Sequence, residues 1–268
     1  VAVGDVTGDG IPDVVTAATG TDEVRLFAGN GDGTFGAGST IGSGVNYART
    51  VALADIDGDG RLDIVVAAGE SAGSDASDQI LYFLNNGGGS FSAAQSVVQS
   101  SPVDDVRDLA VGSLDDDGFP DLVAVSQDND TVARFLNETD QGNGFASLEV
   151  DGSAGDPRAV VLADLDGDDR QDIVVGSVSD DNITWYPNTG GGSFGSGQNI
   201  ATSNAVNPRD LTVADLNGDG ALDVIAALRG NSSQEDDGNV TWYANSGDGS
   251  NWSPNPVVSG GTDQISAV

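Results

Sequence analysis

Hydrophobic positions in this 268-residue chain fall in short runs rich in valine, isoleucine, leucine and alanine, and each run stops at glycine, asparagine or aspartate. Runs of β-formers punctuated by turn residues predict strands joined in hairpins. No window keeps an apolar period of 3.6 residues over the length of a helix, so no helix is expected. The order of the runs recurs. A first run (Val51–Ala54, Val160–Ala163, Leu211–Ala214) leads into an acidic loop, and a second follows it (Ile64–Ala68, Ile173–Val175, Val224–Ala227). A third ends in an aromatic residue: Leu26-Phe27, Tyr82-Phe83, Arg134-Phe135, Trp185-Tyr186, Trp242-Tyr243. Gly/Asn-rich turns come next, such as Asn30–Gly33 and Asn188–Gly192, then a weaker fourth run (Ser96–Val98, Gln198–Ile200, Pro256–Val258).

Self-comparison turns this order into repeats. Five acidic segments superimpose: Asp5-Val-Thr-Gly-Asp-Gly-Ile-Pro-Asp13, Asp55-Ile-Asp-Gly-Asp-Gly-Arg-Leu-Asp63, Ser113-Leu-Asp-Asp-Asp-Gly-Phe-Pro-Asp121, Asp164-Leu-Asp-Gly-Asp-Asp-Arg-Gln-Asp172 and Asp215-Leu-Asn-Gly-Asp-Gly-Ala-Leu-Asp223. Their starts lie 50, 58, 51 and 51 residues apart. Four strands in a unit of this length, repeated five times, predict an all-β propeller whose blades bury their faces against their neighbours. The repeats run over residues 1–46, 47–103, 104–154, 155–205 and 206–260 of a single domain, 1–268. The tail, 261–268, resembles the residues that precede the first strand elsewhere: joined to the head it reads Ser-Ala-Val-Val-Ala-Val-Gly-Asp, beside Pro157-Arg-Ala-Val-Val-Leu-Ala-Asp164. Three arrangements give that alignment: a strand that closes the ring, a strand exchanged with a neighbouring subunit, or a chain cut from a longer tandem protein.

Composition narrows the chemistry. There are 43 acidic and 9 basic residues, a formal net charge of −34, with no histidine, cysteine or methionine, and every basic residue is arginine. Thiol and histidine catalysis, lysine Schiff bases, zinc sites on His or Cys, and disulfides are therefore excluded. Nucleic acid is not an expected partner, since phosphate binding needs clustered Lys/Arg. No apolar stretch is long enough to predict a membrane-spanning helix. Disorder, the first thought for so acidic a chain, is opposed by a charged fraction of only 19% against 38% hydrophobic residues, and by the clustering of the acids.

The clusters have the form of metal loops. Oxygen ligands at alternate positions of a tight loop converge, as in calcium loops of the EF-hand kind. Positions 1, 3, 5 and 9 supply side chains and position 7 a backbone carbonyl. The first loop offers Asp5, Thr7, Asp9, Ile11 and Asp13; the second Asp55, Asp57, Asp59, Arg61 and Asp63. The third offers Ser113, Asp115, Asp117, Phe119 and Asp121, the fourth Asp164, Asp166, Asp168, Arg170 and Asp172, and the fifth Asp215, Asn217, Asp219, Ala221 and Asp223. Carboxylates this close repel without a cation. An all-oxygen donor set selects Ca²⁺ over transition metals, and a multi-carboxylate cage disfavours well-hydrated Mg²⁺. Up to five Ca²⁺ are expected. Two loops depart from the pattern: Asp116 stands in place of glycine at position 4, and Asp169 takes the place held by Gly10, Gly60, Gly118 and Gly220. Aspartate tolerates the left-handed backbone that such positions need better than most residues do.

These loops, with Asn30-Gly-Asp-Gly-Thr-Phe-Gly-Ala37 and Gly192-Ser-Phe-Gly195, resemble the FG-GAP/VCBS repeats of integrin α-subunit propellers and of many secreted bacterial and algal proteins; Phe91-Ser and Phe145-Ala depart from the Phe-Gly element. The resemblance spans essentially the whole chain. It implies a β-propeller, in a family that often has seven blades rather than five, with calcium in its loops and an extracellular setting. It names no ligand.

Other features carry two readings each. Arg49, Arg107, Arg158 and Arg209 stand six residues before a loop, either as an anion site or, the favoured reading, as structural ion pairs to a neighbouring acidic loop. Phe27, Phe83, Phe135, Tyr186 and Tyr243 recur once per repeat, as packing between blades does, whereas Trp185 and Trp242 point the other way along their strands and, with Trp252, are candidates for stacking on a glycan. Sequons at Asn129, Asn137, Asn182, Asn231, Asn239 and Asn251 are glycosylation acceptors if the host makes such links. Carboxylate pairs are abundant, but the recurring acids are accounted for by the loops, and no nucleophile elbow or phosphate loop is present, so enzyme chemistry has little support. The expected function is a secreted, calcium-stabilised, non-catalytic adhesion or structural module of a surface filament or stalk. A lectin-like propeller, or an ancillary domain of a polysaccharide-active enzyme, is the alternative. Expected partners are the chain itself, through its terminal strand, or an extracellular glycan or protein.

Overall fold

The computed structural model describes residues 1–69, 79–97, 103–139, 144–202, 205–230 and 238–259. Among them there is no α-helix, and the strands form five four-stranded sheets, one per repeat. The first sheet is β1 (Ala2–Gly4), β2 (Asp13–Ala18), β3 (Glu23–Phe27) and β4 (Ser39–Ser43), in that order. The second holds β5 (Ala48–Ala54), β6 (Asp63–Ala68) and β7 (Gln79–Phe83); a small hairpin, β8 (Asn85–Gly87) and β9 (Ser90–Phe91), precedes its edge strand β10 (Gln95–Ser96). The third is β11 (Val106–Gly112), β12 (Asp121–Ser126), β13 (Thr131–Glu138) and β14 (Gly144–Asp151). The fourth has β15 (Pro157–Ala163), β16 (Asp172–Ser177) and β17 (Asn182–Tyr186), the hairpin β18 (Asn188–Gly190) and β19 (Ser193–Phe194), and the edge strand β20 (Gln198–Thr202). The fifth is β21 (Pro208–Ala214), β22 (Asp223–Leu228), β23 (Asn239–Asn245) and β24 (Trp252–Ser259). The tail 261–268, expected to close or exchange a strand, lies outside the described residues.

The chain divides into two compact units. One comprises Val1–Val111, Asp117–Ala124 and Ala133–Leu148, the other Gly112–Asp116, Val125–Val132 and Glu149–Val268. Within each unit the core lies between consecutive sheets. Successive residues of a strand face opposite sides, and β6 uses both. Ile64, Val66 and Ala68 join Val15 and Leu26 of the first sheet, while Val65 and Ala67 join Val106, Leu122 and Phe135 of the third. In the other unit, Val174, Ile183 and Trp185 of the fourth sheet meet Val224, Ala226, Leu228 and Tyr243 of the fifth. This is why the second run of the middle repeats is apolar rather than alternating: β6, β12 and β16 are buried along their whole length.

Two polar hooks recur between consecutive sheets. At one end, the aspartate of the β2–β3 type of turn accepts the backbone N–H of the residue leading into the next sheet: Asp22 from Tyr47 at 3.2 Å, Asp130 from Asp156 at 2.8 Å and Asp181 from Asn207 at 3.0 Å. All six residues have positive φ, between 48° and 57°. At the other end, the asparagine two residues after the recurring aromatic donates its side-chain amide to the preceding sheet. Asn85 reaches Val6 O, Asn137 reaches Ile56 O, Asn188 reaches Leu114 O and Asn245 reaches Leu165 O, at 2.7–2.9 Å. The same amides also donate to Leu62 O, Pro120 O, Gln171 O and Leu222 O of their own sheets.

Candidate metal centres

Each acidic loop joins the first strand of a sheet to the second, and its conformation follows from its own carboxylates. The position-1 aspartate accepts the N–H groups that follow it. Asp5 binds Gly8 N at 2.7 Å and Gly10 N at 2.8 Å; Asp164 binds Gly167 N at 2.8 Å and Asp169 N at 2.9 Å; Asp215 binds Gly218 N at 2.7 Å and Gly220 N at 3.0 Å. Asp55 holds Asp59 N and Gly60 N in the same way. The position-7 N–H, from Ile11, Arg61, Phe119, Arg170 and Ala221, turns back to Oδ1 of Asp9, Asp59, Asp117, Asp168 and Asp219. Such tight winding needs left-handed backbone at positions 4 and 6. Where glycine is missing, aspartate supplies it, at φ 64° for Asp116 and 67° for Asp169.

The position-9 aspartates Asp13, Asp63, Asp121, Asp172 and Asp223 are fully buried. They brace the loop against the sheet. Asp63 accepts Ile56 N at 2.8 Å on one oxygen and Asn85 N at 2.7 Å on the other. Asp172 does so with Leu165 and Asn188, Asp223 with Leu216 and Asn245, and Asp13 with Val6, Thr7 and Gly29. Asp121 accepts Asn137 N. Burial pushes the Asp63 carboxyl up to about 6, helped by the charges of Asp57 and Asp59 and opposed by its two backbone hydrogen bonds. Burial likewise pushes Asp172 up to about 7, and Asp166 is raised by burial and then by Asp168 and Asp164.

Two loops gather carboxylates most tightly among the described residues. Oxygens of Asp55, Asp57 and Asp59 lie within 4.8 Å of one another, as do those of Asp164, Asp166 and Asp172. Asp166 Oδ1 is buried with no hydrogen-bond partner, and so is Thr7 Oγ1, the position-3 oxygen of the first loop. Orphaned oxygens at ligand positions, in a set without nitrogen or sulfur donors, fit a hard cation. In the fifth loop Asn217 turns to Asp219, donating at 2.8 Å. In the third, Ser113 is exposed and Asp115 half-buried, while Asp121 is enclosed. Two arginines add a feature beyond the expected ligand list: the guanidinium groups of Arg61 and Arg170 bind Asp59 and Asp168 and donate to Asn85 O and Asn188 O. Consecutive loops frame clefts, one of about 510 Å³ between Asp164, Gly167, Asp219, Ala221 and Ser246. Its counterpart lies between Thr7, Gly8, Arg61 and Asn85.

Other candidates fall differently from the sequence expectation. Three of the strand arginines, Arg49, Arg107 and Arg158, form ion pairs with the residue that leads into a first strand. Arg49 and Arg107 share the buried Asp105, at 3.0 and 2.5 Å, and Arg158 holds Asp156 at 2.8 Å. Trp185 is buried, not presented for stacking, because Gly249 of the next sheet lies on its indole. Asn137 is buried and its amide is used as a hook, so that sequon offers no acceptor; Asn231 lies outside the described residues. The asparagine hooks themselves were missed by sequence reasoning. Their signal was the spacing Phe83-x-Asn85, Phe135-x-Asn137, Tyr186-x-Asn188 and Tyr243-x-Asn245, hidden among turn asparagines.

Comparison with known proteins adds three findings. The family model described as FG-GAP-like repeat matches residues 5–66, 113–175 and 164–226. The biofilm matrix protein Bap1 of V. cholerae superimposes with a TM-score of 0.51 at 18% identity, over 93% of this chain, which spans 37% of that protein's length. The PQQ-bound aldose sugar dehydrogenase of Streptomyces coelicolor superimposes with a TM-score of 0.54 at 13% identity, over 95% of this chain and 80% of that one. At these identities the two structures share a fold with this chain. A search of curated protein sequences gives no match.

Proposed function

Because the chain belongs to the FG-GAP-like repeat family, we propose that it is a secreted, calcium-stabilised β-propeller module that acts by adhesion or as a structural element of an extracellular matrix, without catalysis. The observation that carries this reading is the pair of carboxylate clusters, Asp55/Asp57/Asp59 and Asp164/Asp166/Asp172, with an unpartnered buried oxygen on Asp166. Calcium held there would neutralise charge that burial otherwise penalises, and would lock the loop that joins the first two strands of each repeat. The remaining loops, led by Asp5, Ser113 and Asp215, would bind more weakly, having fewer carboxylates. Millimolar calcium outside cells keeps weak sites of this kind filled.

A matrix role draws on the fold shared with Bap1, whose described function is that of a biofilm matrix protein. The acids that recur in register form the loops and the recurring apolar residues pack between sheets, a division that supports a non-catalytic reading. A lectin role ranks lower, since burial of Trp185 removes one of the stacking candidates. The test is retention of the purified chain on immobilised extracellular polysaccharide and on intact cells, in calcium and in chelator. Calcium-dependent retention is expected; equal behaviour in both buffers would overturn the reading.

A further inference from the structure

In the first, second and fifth acidic loops the side chain at position 7 lies against the turn that follows the third strand of its own sheet. An added Cβ at Gly31 would stand 3.3 Å from Ile11, one at Gly247 3.9 Å from Ala221, and one at Gly87 4.0 Å from the stem of Arg61. These three glycines hold one place in their turns, two residues after Gly29, Asn245 and Asn85. The contact recurs while the side chain that makes it varies. The cleft between the first and second loops, lined by Arg61, measures about 120 Å³, and that between the fourth and fifth, lined by Ala221, about 510 Å³.

Arginine stands at position 7 in two loops, the second and the fourth. These are the two with four aspartates at ligand positions, and the two whose acidic oxygens gather within 4.8 Å among the described residues. In both, the arginine engages the position-5 aspartate twice. The backbone N–H of Arg61 donates to Asp59 Oδ1 at 2.9 Å and its guanidinium to Oδ2, while its Nε donates to Asn85 O at 2.6 Å. Arg170 holds Asp168 Oδ1 at 3.0 Å, Asp168 Oδ2, and Asn188 O at 2.9 Å. The other three loops carry three ligand carboxylates and an uncharged residue at position 7: Ile11, Phe119 or Ala221. With the guanidinium counted, the ligand positions of every loop carry the same net charge, −3.

We infer that Arg61 and Arg170 are built-in counter-ions of the two most acidic loops: they hold the position-5 carboxylate in place before a cation arrives, and they lower the affinity of these loops for calcium, narrowing the gap to the three-carboxylate loops. Both effects follow from one contact. A guanidinium beside clustered carboxylates offsets their mutual repulsion, and the same positive charge opposes a divalent cation on the far side of the shared carboxylate. The arginine side chains are 46% and 36% exposed, so solvent screens the effect to a severalfold one. They are positioning residues, acting on the metal through Asp59 and Asp168. The sign separates this from a purely structural role, since loss of a brace that only shaped the loop would weaken calcium binding.

This inference rests on the calcium reading of the loops, and its test keeps the two apart. Calcium titration calorimetry and thermal unfolding in chelator are run on the full chain, on the double variant Arg61→Met with Arg170→Met, and on Ala221→Arg. The methionines keep an unbranched stem and remove the charge; Ala221→Arg puts the same residue into a three-carboxylate loop beside the wider cleft. The double variant should melt lower in chelator and bind calcium at least about threefold more tightly at its strongest sites, a gain that shrinks at high salt. Ala221→Arg should weaken calcium binding at one site, with the same salt dependence, and gives an independent answer if the double variant does not fold. Unchanged or weaker binding by the double variant, or unchanged or tighter binding by Ala221→Arg, would overturn the inference and leave the calcium reading standing. A parent chain that binds no calcium would overturn both.

Discussion

The side-chain amide of Asn85 donates at 2.8 Å to the carbonyl oxygen of Val6, a residue of the preceding sheet 79 positions earlier. Its own backbone N–H is held at 2.7 Å by Asp63, whose other oxygen holds Ile56. One aspartate and one asparagine thus connect an acidic loop, the end of the third strand and the neighbouring sheet. Three further repeats build the same connection around Asn137, Asn188 and Asn245. The acidic loop and the sheet packing are mechanically joined at this point, because the loop and the hook share the position-9 carboxylate.

Removing the Asn188 hook takes the amide donor from Gln171 O and from Leu114 O, which keeps the N–H of Gly192 at 3.1 Å. Asn188→Ala should lower unfolding free energy by about 1–3 kcal/mol, measured by urea denaturation in calcium. Asn86→Ala, at the exposed neighbour of a hook, should stay within about 0.5 kcal/mol of the parent. Equal effects would remove the hook from the account.

Loop carboxylates should matter chiefly through the metal. Asp59→Asn and Asp166→Asn are expected to reduce the calcium-induced rise in melting temperature, while Asp128→Asn, at an exposed turn outside the loops, leaves it unchanged. A site filled at a hundredfold excess over its Kd adds about 2.7 kcal/mol, so loss of one site is visible by calorimetry. Unchanged calcium response in both loop variants would contradict the assignment.

The buried acids set a pH dependence for the metal-free chain. Asp63 and Asp172 have folded-state values of about 6 and about 7, above the 3.8 of a free carboxyl. The folded chain therefore holds more protons than the unfolded one between those values. Their stabilising contribution is full below about pH 4 and is lost as the pH rises through 6 and 7. In chelator the melting temperature should fall from pH 5 to pH 8. In excess calcium, which binds the deprotonated form, the slope should reverse. A rising profile in chelator would count against these burials.

Trp185 and Gly249 should behave as a packed pair. Trp185→Ala is expected to cost about 3–5 kcal/mol, and Gly249→Ala to destabilise by more than Gly191→Ala. Both glycines have positive φ, but only at Gly249 would the new methyl meet the indole ring. Similar melting temperatures for the two glycine variants would contradict the contact.

Strand order, repeat length and the place of the acidic loops were legible because each rests on local pattern. The Ile64–Ala68 run, β-branched and unbroken, marks a strand buried on both faces, and Asp55-x-Asp-x-Asp marks a loop wound on its own carboxylates. What the sequence hid depends on the next repeat. Alternation along β17 put Trp185 on the face opposite Tyr186 but could not show that Gly249 covers it. Arg49 pairs with Asp105, 56 positions away, and not with an acidic loop, a choice fixed by how consecutive sheets stack. The asparagine hooks sat among turn residues of the same type, distinguished only by their spacing from an aromatic.

The most direct test of the central claim is a thermal unfolding series on the purified chain with calcium, with magnesium and with chelator, at one pH and ionic strength. Stabilisation by calcium well beyond that given by magnesium, lost on chelation and reduced by Asp166→Asn, is the predicted result. Identical melting temperatures in calcium and in chelator would show that the acidic loops hold their shape by hydrogen bonds alone and would contradict the account.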